Sequence, residues 1–196
     1  MKLTVFYDYI CPFCYLTSKS LEKLSREFDL DVEWKGIEIH PEYPGSGQKS
    51  PSSLKSLKAA EFIKGAARES GTDIVLPGFR TNSRLSLEAS EFAKTRNLFR
   101  SFHEMIYDAY FLKRKNIGDI KVVLETGSKS GLDVRDLEEC LVNRTMFQRI
   151  EQNKKEAELN LVTGVPTLMM GNFPLYGNQT RETLRHMIRR AIERSA

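Results

Sequence analysis

The sequence predicts an α/β fold in which a β-α-β opening and a strand-hairpin-helix ending are separated by a long all-helical block. Three observations predict it. Residues 2–9 and 31–39 alternate as half-buried strands do, with a helix-spaced apolar series between them. Residues 51–142 carry helical periodicity without a strand pattern, and strand-like runs return only after position 164. The size agrees, since 196 residues suit one domain with a large core, or a small domain with a substantial insertion, better than two independent domains. Apolar residues at 40% and charged residues at 29% exclude a disordered chain.

The elements follow in order. KLTVFYDY reads as a buried strand that runs straight into two cysteines. Pro12 suits the first position of a helix whose apolar side is Leu16, Leu21, Leu24 and Phe28, which puts Cys11 near the N-cap. DVEWKGIEI is a second strand, ended near His40-Pro41, and a right-handed crossover would make the two strands parallel neighbours. After the turn-rich HPEYPGSGQKSPSS, four or five helices are expected, with breaks at Gly71 to Asn82, Asn116 to Gly118 and Gly131. A long helix near 145–161 returns the chain to a strand opened by Pro166. A turn at Gly171-Asn172 then leads into Phe173 to Tyr176 and a terminal helix. The division expected is 1–48 with 143–196 as one domain and 49–142 as an inserted helical domain.

The net charge of +4 comes from 30 basic and 26 acidic residues that are mixed along the chain. Lys113-Arg114-Lys115 reads as a helix end. Arg181, Arg185, Arg189, Arg190 and Arg194 read as the solvated face of a terminal helix, and no nucleic-acid partner is expected. No run approaches the roughly 20 apolar residues of a membrane span, and the N-terminus lacks the pattern of a secretory leader. The expected location is the cytoplasm, with no membrane partner.

A Cys-x-x-Cys at a helix start suits thiol-disulfide exchange, which needs one accessible thiolate and a second thiol to resolve the mixed disulfide. Cys11 at the N-cap faces unpaired N–H groups and the positive end of the helix dipole, both of which favour a thiolate. Cys14, one turn in, is the more covered thiol. Zinc would need four ligands, and Cys140, His40, His103 and His186 form no second closely spaced pair, so no metal is expected. Cys140 reads as a small buried hydrophobe, and His103 and His186 as structural or solvated. Tyr9, Phe13 and Tyr15 flank the cysteines as core or as an apolar rim. Asp8 is the nearest acid, either a proton acceptor during exchange or a bonding partner for backbone near the helix start. Pro166, opening a late strand, cannot donate a ladder hydrogen bond and is a candidate for a cis peptide.

On YDYICPFCY, GIEIHPEYP, NSRLSLEASEFAK, GVPT and GNQT, segments spread over nearly the whole chain, the sequence resembles the DsbA family. It is most similar to the FrnE-like branch beside the 2-hydroxychromene-2-carboxylate isomerases and kappa-class glutathione transferases. The resemblance implies a thioredoxin-like α/β fold with an inserted all-helical domain, Cys11 as nucleophile, Cys14 as resolving thiol and Pro166 as the cis-proline facing them. It implies that Pro12, Phe13, Val165 and Thr167 meet substrate, with the backbone of Val165 pairing with an extended segment by strand addition. The loop holding His40 falls near the active site, and Asn82 and Gln179 match family motifs without an assigned chemistry. Phe13 stands where the strongly oxidising members have histidine, and Val5 where periplasmic members place a carboxylate. A less oxidising disulfide is expected.

Three functions follow from these readings. The leading one is disulfide exchange with protein or small-molecule thiols, needing no cofactor and recycled by glutathione or a thioredoxin-type system. The second is a glutathione-dependent isomerase or transferase of the 2-hydroxychromene-2-carboxylate isomerase type, where glutathione is co-substrate and serine typically replaces the first cysteine. The third is a chaperone-like peptide-binding protein.

Overall fold

A computed structural model describes residues 1–193; Arg194 of the basic tail lies outside the described residues. The first strand, β1 (Lys2–Tyr7), is central. It pairs in parallel with β2 (Asp31–Gly36), from Lys2 opposite Asp31 to Tyr7 opposite Gly36. On its other side it pairs antiparallel with β5 (Thr167–Met170), Val5 opposite Leu168, and β5 turns through Gly171 and Asn172 into β6 (Phe173–Tyr176). The sheet order is therefore β2-β1-β5-β6. The alternation in β1 sends Leu3, Val5 and Tyr7 into the main core and Phe6 to the opposite face, against Ala157 and Met169. Both faces of β1 are covered, so it carries the framework.

Helix α1 (Pro12–Leu24) crosses from β1 to β2 and buries Cys14, Tyr15, Leu16, Leu21 and Leu24. Between β2 and the late strands lie α2 (Leu54–Ser70), α3 (Arg84–Thr95), α4 (Phe99–Phe111), α5 (Ile120–Ser130) and α6 (Val134–Val142), followed by α7 (Phe147–Leu159). The chain ends in α8 (Arg181–Glu193). One core cluster joins Leu3, Val5 and Leu16 to Leu87, Phe102, Phe111 and Leu137 of the inserted helices. Helix α2 is the exception: it is bounded by a Ser53–Ser56 capping box and by Gly71 at φ 60°, but buries only Ala67. Local signals define that helix more than packing does.

Two expectations need correction. A strand does interrupt the helical block: β4 (Phe79–Arg80) pairs antiparallel with β3 (Gln48–Lys49). Two-residue strands are too short for alternation to register, and the partner sits some thirty positions away. The first two strands also end sooner than their sequence pattern suggests. At β1 the Asp8 side chain leaves the ladder to bond backbone N–H groups at Ile10 and Ile39. At β2 the last bond of the pair is from Ile37 N–H to the Tyr7 carbonyl, so His40 lies in the loop beyond the strand rather than at its end.

That loop is tied to the inserted helices by backbone contacts that leave no room for a side chain. A Cβ on Gly118 would stand 2.7 Å from the Gly45 carbonyl and run into the Thr81 hydroxyl. Asn116 Nδ2 and Thr81 Oγ1 both donate to Gly45 O, at 2.8 and 3.2 Å. Gly118→Ala is expected to destabilise the fold by about 1–3 kcal/mol, as overpacking does. A denaturant midpoint indistinguishable from that of the parent would contradict this tight approach.

Candidate active site

β1 delivers the chain to a single tight turn, in which Cys11 N–H donates to the Asp8 carbonyl at 3.2 Å. The same carbonyl accepts the Tyr107 hydroxyl at 3.2 Å. Cys11 occupies the N-cap of α1 with extended backbone, φ −85° and ψ 115°, and its side chain caps nothing. Pro12 at the first helical position loses no hydrogen bond, because the N–H there has no partner in a helix. The sequence expectation for both residues is met.

The two thiols differ by their surroundings. The Cys11 thiol is held below the usual cysteine range, first by a hydrogen bond from Cys14 and then by the N–H groups of Cys14 and Phe13, against burial and the Asp8 charge. Cys14 is pushed well up, first by burial and then by its neighbour Cys11. Cys11 is 7% exposed and Cys14 1%, and both are free thiols. Cys11 is thus the less covered and more acidic thiol and Cys14 the more covered and less acidic one, the asymmetry that exchange requires.

Opposite them the Val165–Pro166 peptide bond is cis. The Val165 carbonyl lies 3.6 Å from Cys11 Sγ, whose S–H donates to it. The structure therefore brings Cys11, Cys14, Val165 and Pro166 together from the two ends of the chain. Thr167 is buried and donates its hydroxyl to Gly164 O at 2.7 Å, bracing the loop before β5. Pro12 and Phe13 are half-buried, and the Phe13 ring meets the exposed Phe62 of α2 edge-on at 5.9 Å.

Tyr9 and Tyr15 belong to the core, not to an apolar rim. Tyr9 packs on Tyr107 at 4.8 Å and Tyr15 stacks on Phe111 at 5.2 Å. His103 is also core, its two ring nitrogens bonded to the Tyr9 hydroxyl at 3.1 Å and the Ser18 hydroxyl at 3.0 Å. Burial, and then Lys94 and Lys19, keep this histidine neutral. His186 is exposed. Cys140 is buried, with the Thr145 hydroxyl donating to its sulfur at 3.0 Å. Asn82 braces the loop after β2 by donating to Tyr43 O at 2.9 Å, and His40 stacks on Tyr43 at 4.4 Å in that loop.

Asp8 is fully buried beneath the cysteines. Its Oδ1 accepts Ile10 N–H at 3.2 Å and its Oδ2 accepts Ile39 N–H at 2.8 Å. Burial raises its pKa to about 6, with the Ser83 hydroxyl and the two N–H groups pulling the other way and Glu38 adding to the rise. Ser83, Glu38 and Tyr107 were not singled out from the sequence. Ser83 does fall inside NSRLSLEASEFAK, at the start of α3, but there a serine reads as a helix cap.

A fully folded α/β core that sets a Cys-x-x-Cys at a helix N-terminus against a cis-proline defines a protein of the thioredoxin-like class. The family profile of the DSBA-like thioredoxin domain matches residues 2–189, and the chain belongs to that family. Among curated relatives it is 27% identical over 180 residues to an uncharacterized protein, YwbO, of Bacillus subtilis (strain 168), covering 90% of each chain. It is 20% identical over 182 residues to 2-hydroxychromene-2-carboxylate isomerase of Pseudomonas putida, covering 91% of this chain and 89% of that one. A probable DsbA oxidoreductase of Streptomyces coelicolor superposes with TM-score 0.88 at 17% identity, over 98% of this chain and 90% of that one. The cytosolic disulfide reductase DsbM of Pseudomonas aeruginosa, solved with GSH, gives TM-score 0.72 at 18% identity, over 96% and 100%. Among the described residues no helix is long and apolar enough to cross a membrane.

The raised Asp8 carboxyl has a consequence for stability. An unfolded aspartate releases its proton near 3.8, whereas the folded one holds it to about 6. Between those values the fold binds the extra proton, so stability falls as pH rises through that window and stays lower above it. Two units correspond to about 3 kcal/mol. Denaturant melts of the parent and of Asp8→Asn at pH 4 and pH 7 measure it. The parent's stability relative to the variant is expected to fall by about that much, and a constant difference would mean an ordinary carboxyl.

Proposed function

We propose that the chain is a thiol-disulfide oxidoreductase working through Cys11 and Cys14 on protein or small-molecule thiols and disulfides. The observation that carries this reading is the opposite perturbation of the two thiols, one low and one high, beside the cis Val165–Pro166 bond. In the reductive direction the Cys11 thiolate attacks a substrate disulfide, one substrate sulfur leaves as thiolate, and a mixed disulfide forms. Cys14 then loses its proton and attacks the Cys11 sulfur. The second substrate thiolate departs, and two electrons have passed from the dithiol to the substrate.

Val165 would align the substrate, its backbone pairing with an extended segment beside Pro166. Pro12, Phe13 and Thr167 complete the contact surface in this reading. Asp8 is the proton acceptor for Cys14, since its N–H and its charge both act on that thiol. The helices of 49–142 would form a domain that roofs the groove and selects what enters, set on the thioredoxin-like part made by 1–48 and 143–196. Glutathione or a thioredoxin-type reductase would recycle the dithiol in the cytoplasm, and no bound cofactor is needed because both electrons reside in the cysteine pair. The 2-hydroxychromene-2-carboxylate isomerase relative supports a second reading, glutathione-dependent isomerisation, in which Cys11 would steady the glutathione thiolate.

Equilibration in glutathione redox buffers, with alkylation and mass spectrometry, tests the proposal. The Cys11–Cys14 disulfide is expected to form with a potential well below the roughly −120 mV of a strong oxidase, because Phe13 supplies no cation beside Cys11. Cys14→Ser should accumulate a mixed disulfide on Cys11, and Cys11→Ser none. A pair that never closes, with isomerase activity retained in Cys14→Ser, would overturn the dithiol reading in favour of the second.

A further inference from the structure

Helix α2 carries three large apolar side chains that the packing of the fold does not use. Leu54 is 71% exposed, Leu57 59% and Phe62 71%, while the helix buries only Ala67. Its attachment lies at the other end, where Lys23 of α1 donates to the carbonyls of Ser70 and Gly71 at 3.4 and 3.3 Å. Large apolar groups left together in water forgo the gain of burial, and such a cluster marks a surface that another molecule covers. Its position says which molecule. The Phe62 ring meets Phe13 edge-on at 5.9 Å, so the exposed stretch ends on the residue next to Cys14.

Charge narrows the choice. Lys55, Lys58, Lys64 and Arg68 stand on the same helix against Glu61 and Glu69, and among the described residues none of the six forms an ion pair. The helix therefore offers unneutralised positive charge to an acidic partner. Spacing sets the partner's shape. Leu54, Lys58 and Phe62 are each four positions apart, which puts them on one stripe of the helix, about 6 Å from one to the next. In an extended chain, alternate side chains point the same way about 6.5 to 7 Å apart. The two repeats nearly coincide, so an extended segment with apolar, acidic and apolar side chains at alternate positions can meet Leu54, Lys58 and Phe62 in turn.

We propose that the stripe of Leu54, Lys58 and Phe62 is the docking surface for the substrate of the dithiol, and that it selects an extended polypeptide whose apolar and acidic side chains alternate beside its disulfide. The inference rests on the disulfide-exchange reading above and names the substrate class within it, a polypeptide rather than glutathione. Phe62 holds the last apolar side chain of the segment next to Phe13, which brings the disulfide that follows it to Cys11. Lys58 pairs with the acid between the two apolar contacts. Glutathione has no apolar side chain to set against the stripe and gains nothing from it.

Mixed disulfides with thionitrobenzoate test this, because full reduction by the dithiol releases one chromophoric thiolate whichever sulfur Cys11 attacks. Three are compared against the reduced protein in a stopped-flow spectrometer: a peptide with leucine, glutamate and phenylalanine at alternate positions before its cysteine, the same peptide with lysine for glutamate, and glutathione. Each rate is divided by that with dithiothreitol to remove intrinsic reactivity. The parent should favour the acidic peptide about tenfold over glutathione. It should favour it about fivefold over the basic peptide, a preference that fades at high salt. In Phe62→Ser the peptide-to-glutathione ratio should fall towards one, and in Lys58→Glu the basic peptide should become the faster of the two. Both side chains are exposed, so neither change threatens the fold. A parent that treats the three alike, or variants that keep its ratios, would overturn the docking surface. Reduction of none of the three would instead overturn the dithiol reading itself, so the two failures are distinguishable.

Discussion

A carboxyl group removed from water must be given hydrogen bonds, and the arrangement around the cysteines follows from how the fold meets that demand at Asp8. Its two oxygens accept N–H groups from Ile10 and Ile39, the first in the turn before α1 and the second in the loop after β2. One side chain therefore fixes the departure of both parallel strands at the same edge of the sheet. Its carbonyl fixes Cys11 by accepting that residue's N–H, and ties the turn to α4 through Tyr107. The position of Cys11 is set from beneath rather than by the helix alone.

The same burial supplies the chemistry. A single hydrophobic wall would raise both thiols, yet Cys11 receives the N–H groups of the first turn and the hydrogen bond of Cys14, while Cys14 receives mainly desolvation. The Asp8 charge opposes a second negative charge at either sulfur, so the site favours one thiolate at a time. Aromatic packing keeps it dry: Tyr7, Tyr9, Trp34 and Tyr107 surround a neutral His103 whose ring nitrogens are both bonded. That histidine, read from the sequence as structural or solvated, is structural: it is buried and bonded at both ring nitrogens.

The inserted helices contribute to the surroundings of the candidate site. Helix α3 brings Ser83 and Arg84 to Asp8 and Glu38 at one end. Further along, Glu88 is bonded by Arg144 at 3.2 Å, and Glu91 by Lys94 at 2.6 Å. Acids on the buried side of a helix need cations and hydrogen-bond donors to meet them; here Lys94 does so from α3 itself, Asn153 from α7 and Arg144 from the turn before α7. In contrast α2, with Leu54, Leu57 and Phe62 exposed, touches the site mainly through the Phe13–Phe62 ring contact.

By itself the sequence determined the parts whose signals are local. Alternation marks β1 and β2, Pro12 and the 3.6-residue spacing mark α1, and the pair of cysteines at that junction marks the candidate site. The hairpin after Pro166 and the helical character of the insertion are equally local. Only the tertiary structure decided what depends on residues distant in the chain: the Val165 carbonyl over Cys11, the two-residue ladder of β3 with β4, the core placement of Tyr9, Tyr15 and His103, and the Asp8 environment built with Glu38 and Ser83. The physical reason is the range of the forces involved. Periodicity and caps act within one or two turns of chain, whereas desolvation and buried hydrogen bonding depend on which segments close over a group, and no local pattern records that.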